Sequence, residues 1–107
     1  FGGTSVGKPE RMKSIRQLIT EDGQPKIVVL SALSGSTNTL LSISESLNSG
    51  NQTEAKVKAT ELRAHYDQFL TELYSTPAGL GKGQAIVEKE FNFIDDNEHS
   101  GARSCMW

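Results

Sequence analysis

Apolar side chains recur at Met12, Ile15, Leu18 and Ile19 within KPERMKSIRQLI, the spacing of one helix face. Pro9 suits the first helical position, where its missing N–H is harmless, and Gly23 supplies a stop. The pattern then changes. KIVVLS, residues 26–31, is a continuous β-branched and apolar run of the kind that forms a strand buried on both faces. Beyond a small, polar loop, ALSGSTN at 32–38, the residues Leu40, Leu41, Ile43 and Leu47 mark a second helix. NSGNQ, at 48–52, connects it to a long third helix reaching about Tyr74, with Val57, Leu62, Tyr66, Phe69, Leu70 and Leu73 along one face. STPAGLGKG, at 75–83, reads as a flexible interhelical turn, and Ile86, Val87, Phe91 and Ile94 mark a shorter last helix. From residue 95 onward, DDNEHSGARSCMW has no periodicity.

A strand running into a polar loop and then a helix predicts an α/β fold, with a parallel-type sheet and helices packed around it. In such sheets ligands bind at the carboxyl ends of strands, where helix N-termini offer unpaired N–H groups and positive potential. Two loops qualify as candidates, FGGTSVGK at the start and ALSGSTN.

Composition narrows the partners. A chain of 107 residues fits one small domain or a piece of a larger one. Eleven basic against thirteen acidic residues give a net charge of −2 with no basic stripe, which argues against nucleic acid. One cysteine, Cys105, cannot form an internal disulfide, and no apolar run approaches the roughly 18 residues of a membrane span. No signal peptide is evident, so the expected location is cytoplasmic, without membrane association. Phe1 is not an initiator, and the true N-terminus is expected upstream.

The opening stretch admits three readings. Gly2 to Lys8 satisfies G-x-x-x-x-G-K, the nucleotide-binding P-loop pattern, but Pro9 stands where the magnesium-holding hydroxyl belongs. A purely structural glycine turn is the second reading. The third is a resemblance: FGGTSV resembles the K-F-G-G-T-S signature that opens the aspartate kinases of the amino-acid kinase family. VVLSALSGSTNTL resembles their second motif, V-V-L-S-A-x-x-G-x-T-N, in the same order and at the same separation. The resemblance extends more loosely to about Ile94.

That resemblance implies a partial amino-acid kinase (carbamate kinase-like) fold. Residues 1–94 would be the N-terminal part of the catalytic domain, and 95–107 a tail outside it, disordered or non-native. It implies ATP, with Mg2+ in the ATP complex, and L-aspartate as small-molecule substrates, and 4-phospho-L-aspartate as product. Phe1, Gly2, Gly3, Thr4 and Ser5 would bind the ATP phosphates, the glycines allowing close backbone approach. Ser31 and Thr37 would bind the substrate aspartate, with Gly35 and Asn38 shaping the loop; two hydroxyls near a helix N-terminus suit a carboxylate. Simple helix capping by Thr37 or Asn38 is the plain alternative.

The family's catalytic lysine would lie before Phe1, so no catalytic residue is expected here and the chain alone is expected to be inactive. The family's ACT domains, through which the parent enzyme would form a homo-oligomer, have no counterpart in the sequence. A non-catalytic helical binding module is the rival reading, and a P-loop NTPase a third. His65, His99 and Cys105 match no zinc spacing, and Asp95, Asp96 and Glu98 read as solvated charge, so no metal ligand is expected.

Overall fold

The computed structural model describes residues 1–99 and is built there from helices: α1 (Gly3–Val6), α2 (Pro9–Thr20), α3 (Ser36–Asn48), α4 (Gln52–Leu73) and α5 (Pro77–His99). The central element is α4, whose 22 residues span about 33 Å at the helical rise. It starts at Asn51, whose side-chain oxygen accepts the Glu54 N–H at 3.1 Å while its amide donates to Glu54 Oε2 at 2.9 Å. The first bond satisfies one of the N–H groups that a helix start leaves open, and the second ties the two side chains together. α2, α3 and α5 all pack on α4. The molecule is therefore elongated, 51 × 27 × 19 Å, with a radius of gyration of 16.0 Å, against about 13 Å for a compact chain of this length.

Two small cores lie along α4. Val6, Ile15, Leu33 and Phe69 form one, flanked by Met12, Ile19, Tyr66 and Leu73; Ile43, Ala55 and Ala59 form the other, flanked by Leu40, Leu47 and Ile94. Between α3 and α4, Lys58 donates to Ser42 Oγ at 2.7 Å and Ser46 Oγ at 3.0 Å and pairs with Glu54 at 2.9 Å. The buried Ser46 hydroxyl, which donates to the Ser42 carbonyl at 3.1 Å, thereby also accepts from a charged partner.

The expected α/β fold is not what forms. Among the described residues there is no strand and no sheet, and the all-helical architecture replaces the amino-acid kinase type of parallel sheet. Residues 26–31 form no ladder, and Ile27 is 97% and Val29 73% exposed. A strand apolar on both faces needs neighbouring strands for its N–H and C=O groups and layers over its side chains. No other described segment is extended in that way, and the remaining apolar residues are spaced for helices. What the segment has is Phe1: its backbone nitrogen donates to the Val29 carbonyl at 2.7 Å, and Ser31 N–H donates to the Phe1 carbonyl at 2.9 Å. That is a single pair of bonds.

The interhelical turn expected at 75–83 is also corrected. α5 starts at Pro77, so Gly79, Gly81 and Gly83 are helical. A Cβ at Gly79 or Gly83 would lie 2.9 or 2.8 Å from the Tyr74 ring, so two glycines one turn apart let α5 close over that ring. Packing outweighs the weak helix preference of glycine here. Asp95 and Asp96 continue α5, as does the backbone of Glu98 and His99, while Cys105 and the rest of the tail from residue 100 lie outside the described residues.

Candidate functional site

The chain start and the loop after residue 31 meet. Phe1 is tied to Val29 and Ser31 running in the same direction, so the residues that follow each of them are laid side by side. Gly3 then sits so close to the second loop that a Cβ on it would be 3.2 Å from the Ala32 carbonyl oxygen. Gly7 is tighter still: its Cβ would be 2.7 Å from the Gly3 carbonyl oxygen and 3.2 Å from Ser34 Cβ. Val6, 1% exposed, and Leu33, 8% exposed, anchor the two loops in one core.

Between them lies an open cavity of about 220 Å3, lined by Gly3 and Thr4 from the first loop and by Ser31, Gly35, Thr37 and Asn38 from the second, with Ala32 to Ser34 as its floor. All four second-loop residues singled out in the sequence therefore line it, together with two of the five from the first. The other three lie elsewhere. Phe1 lines a separate apolar groove with Leu18, Ile19 and residues 26–29. Gly2 turns its carbonyl to the N–H groups of Ser5 and Val6, at 3.0 and 3.2 Å, so the Ser5 amide is engaged within α1.

The second loop is built to present N–H groups. Gly35 occupies the N-cap of α3 at φ +85°, a left-handed conformation that a Cβ would strain, and no side chain caps the helix. The alternative that Thr37 or Asn38 serves as the cap is thereby overturned. Thr37 and Asn38 stand at the second and third helical positions, whose N–H groups have no partner within a helix. With the Ser31 and Thr37 hydroxyls alongside, the cavity offers donors and the positive end of a 13-residue helix. Such a place suits a carboxylate or phosphate oxygen.

The cavity lining contains no lysine, arginine or carboxylate. Lys8 is exposed before α2 and does not line it, and Pro9 begins α2. The P-loop reading, which needs that lysine against the phosphates, finds no support in this arrangement. Sequence reasoning missed Arg11 in α2: its guanidinium donates to the Thr4 carbonyl at 2.8 Å and braces the first loop from outside. A charged residue three positions into a helix carries no signal of such a role. No group of three or more metal-ligating side chains occurs among the described residues, and no described helix is long and apolar enough to cross a membrane.

An aspartate kinase from Pseudomonas putida is 42% identical over 109 residues, covering 96% of this chain. The chain belongs to the aspartate kinase family. An aspartate kinase from Pseudomonas fluorescens is 38% identical over 55 residues, 49% of this chain. The chain spans about a quarter of the first relative's length, 26%, and the match to the second covers 13% of that protein. No family model matches the chain, and no solved structure matches it.

Proposed function

We propose that this chain carries the phosphate-side and aspartate-side loops of an aspartate kinase, an ATP-dependent phosphotransferase of amino-acid biosynthesis. The observation that carries the reading is the shared cavity, in which Gly3 and Thr4 face Ser31, Thr37 and Asn38. In the proposed reaction an oxygen of the L-aspartate side-chain carboxylate attacks the γ-phosphorus of ATP. The bond to the β–γ bridging oxygen breaks, ADP leaves, and 4-phospho-L-aspartate forms on the route to lysine, threonine and methionine. Mg2+ enters as part of the ATP complex.

The roles follow from donor chemistry. The Ser31 and Thr37 hydroxyls and the first-turn N–H groups of α3 hold the aspartate, while Gly35 sets the turn and Asn38 shapes its rim. Gly3 and Thr4 border the phosphate side, and Phe1, Gly2 and Ser5 act by holding that loop in place. Phosphoryl transfer depends on positive charge at the transferring group. No cation lines the cavity, so the chain alone is proposed to bind without turning over. The whole protein is read as cytoplasmic and as a homo-oligomer joined through ACT-type domains. Residues 1–94 are read as the N-terminal part of its catalytic domain, and 95–107 as a tail outside it.

One observation favours the rival, a non-catalytic helical module: close packing accounts for both glycines with no ligand involved, Gly3 against the Ala32 carbonyl of the second loop and Gly7 against the Gly3 carbonyl and Ser34. Titration of the 15N-labelled chain with L-aspartate separates the two. The kinase reading expects shifts concentrated at Ser31 to Asn38 that Thr37→Val weakens about tenfold, as for loss of one good hydrogen bond. A response absent in the native chain, or unchanged in Thr37→Val, refutes it. Release of ADP above a heat-killed control would refute the proposed inactivity.

A further inference from the structure

Ser36, the first residue of α3, is 2% exposed, and its hydroxyl shares a 2.8 Å hydrogen bond with the hydroxyl of Tyr66 in α4. Neither residue lines the cavity, yet Ser36 stands directly between Gly35 and Thr37, which do. We propose that Tyr66 is a positioning residue for this site: acting through Ser36, it fixes the start of α3 and so the aim of the Thr37 hydroxyl and of the Thr37 and Asn38 N–H groups. The proposal rests on the aspartate reading of the cavity.

The loop has few other restraints at this point. Gly35 sits at positive φ, α3 has no side-chain cap, and the local bonds are Ser36 N–H to the Leu33 carbonyl at 3.0 Å and the Thr39 N–H and hydroxyl to the Gly35 carbonyl, each at 3.0 Å. Tyr66, by contrast, is well fixed. Its ring packs against the core of Val6, Ile15, Leu33 and Phe69 and meets the Phe91 ring edge-on, 6.0 Å between centroids at 65°. That core holds Val6 at the end of the first loop and Leu33 in the second. Tyr66 therefore references the helix start to the same core that anchors both walls of the cavity. A side-chain hydroxyl placed by a rigid ring is the kind of support a binding loop needs to hold its donors in one geometry.

The test uses the full chain in four forms: native, Tyr66→Phe, Ser36→Ala and the double variant. Tyr66→Phe takes the partner from the buried Ser36 hydroxyl and Ser36→Ala takes it from the half-buried Tyr66 hydroxyl, whereas removing both leaves no orphan, so stability should fall in the singles, most in Tyr66→Phe, and largely return in the double. Aspartate affinity should behave differently. Positioning expects it to fall about fivefold to tenfold in each single variant and to remain low in the double, because the link to α4 is still cut. Amide exchange at Ser36 and Thr39 should quicken about tenfold in Tyr66→Phe while the middle of α4 changes less than about twofold.

Affinity that recovers with stability in the double variant overturns the positioning role and leaves a packing role. Exchange unchanged at Ser36 and Thr39, or quickened uniformly, also overturns it. A native chain with no response to L-aspartate fails at the earlier step, and overturns the aspartate reading together with any role for Tyr66 in it.

Discussion

Gly7 and Gly2 lie five residues apart in the same loop, and the structure predicts opposite outcomes for the same substitution. At Gly7, φ is −73° and ψ −5°, a conformation open to alanine, so backbone strain is not the issue. Contact is: the added Cβ would sit 2.7 Å from the Gly3 carbonyl oxygen and 3.2 Å from Ser34 Cβ. The first of these is main chain and cannot swing away. Overpacking of this kind costs about 1–3 kcal/mol, partly offset by the roughly 0.4–1 kcal/mol gained when a glycine's freedom in the unfolded chain is reduced.

Gly7→Ala should thus be about 1–2 kcal/mol less stable, a fall in Tm of roughly 4–16 °C for a chain this size. Gly2, at φ −77° and ψ 173° with nothing within 4 Å of an added methyl group, should show the entropy gain alone. Gly2→Ala is expected to melt roughly 2–8 °C higher than the native chain. Thermal unfolding followed by circular dichroism, with urea titration for the free energies, reads both. Gly7→Ala as stable as native, or two shifts of the same sign and size, would refute the close packing of Gly7 against the Gly3 carbonyl of its own loop and Ser34 of the second.

The same logic applies in α5, where a Cβ at Gly81 meets open space but one at Gly83 would lie 2.8 Å from the Tyr74 ring and 2.9 Å from Leu70. Gly81→Ala should gain about 0.5–1 kcal/mol of helix propensity, and Gly83→Ala should melt below it; equal gains in Tm would count against the packing of α5 on Tyr74. In the turn after α2, the Lys26 ammonium, and then the Gln24 N–H at 3.0 Å, hold the Asp22 carboxyl below its ordinary pKa. Because the folded value is the lower one, this group's contribution to stability is present above the ordinary aspartate pKa and fades as pH falls through the folded value. A 13C titration should place its midpoint below that of unfolded aspartate, and Lys26→Met should raise it; a midpoint that ignores the substitution would show that the pair is not formed in solution.

Helices are legible in this sequence wherever the apolar period is long. The period turns Ile15, Ile43, Leu62, Phe69 and Phe91 inward, and all five are buried, but Leu18, Val57 and Ile86, placed on the same faces, are exposed. A period fixes a face, and the width of what is buried depends on how many elements cover it. Here the helices lie along α4 as two thin cores, so the edges of each apolar stripe stay in water. The strand expected at 26–31 fails for the complementary reason. Its composition describes a surround of neighbouring strands and layers, and the 99 described residues fold without supplying it.

The candidate site fares differently because its legibility comes from motifs, not from periodicity. Ser31, Gly35, Thr37 and Asn38 stand within one eight-residue turn, and any fold that starts a helix at Ser36 brings them to the same edge. The first loop requires a contact across about thirty residues, and the sequence names Phe1 to Ser5 without separating those that face the cavity from those that hold the loop. The separation is made by hydrogen bonds: Phe1 commits both backbone groups to residues 29 and 31, Gly2 commits its carbonyl to α1, and Gly3 and Thr4 are what remains turned toward the second loop. The first loop thus divides into residues that make the turn and residues that the turn presents. Ser36 and Tyr66 extend this division to the other wall, where the bond between a buried serine hydroxyl and a half-buried tyrosine, invisible to any motif, determines how the visible residues are aimed.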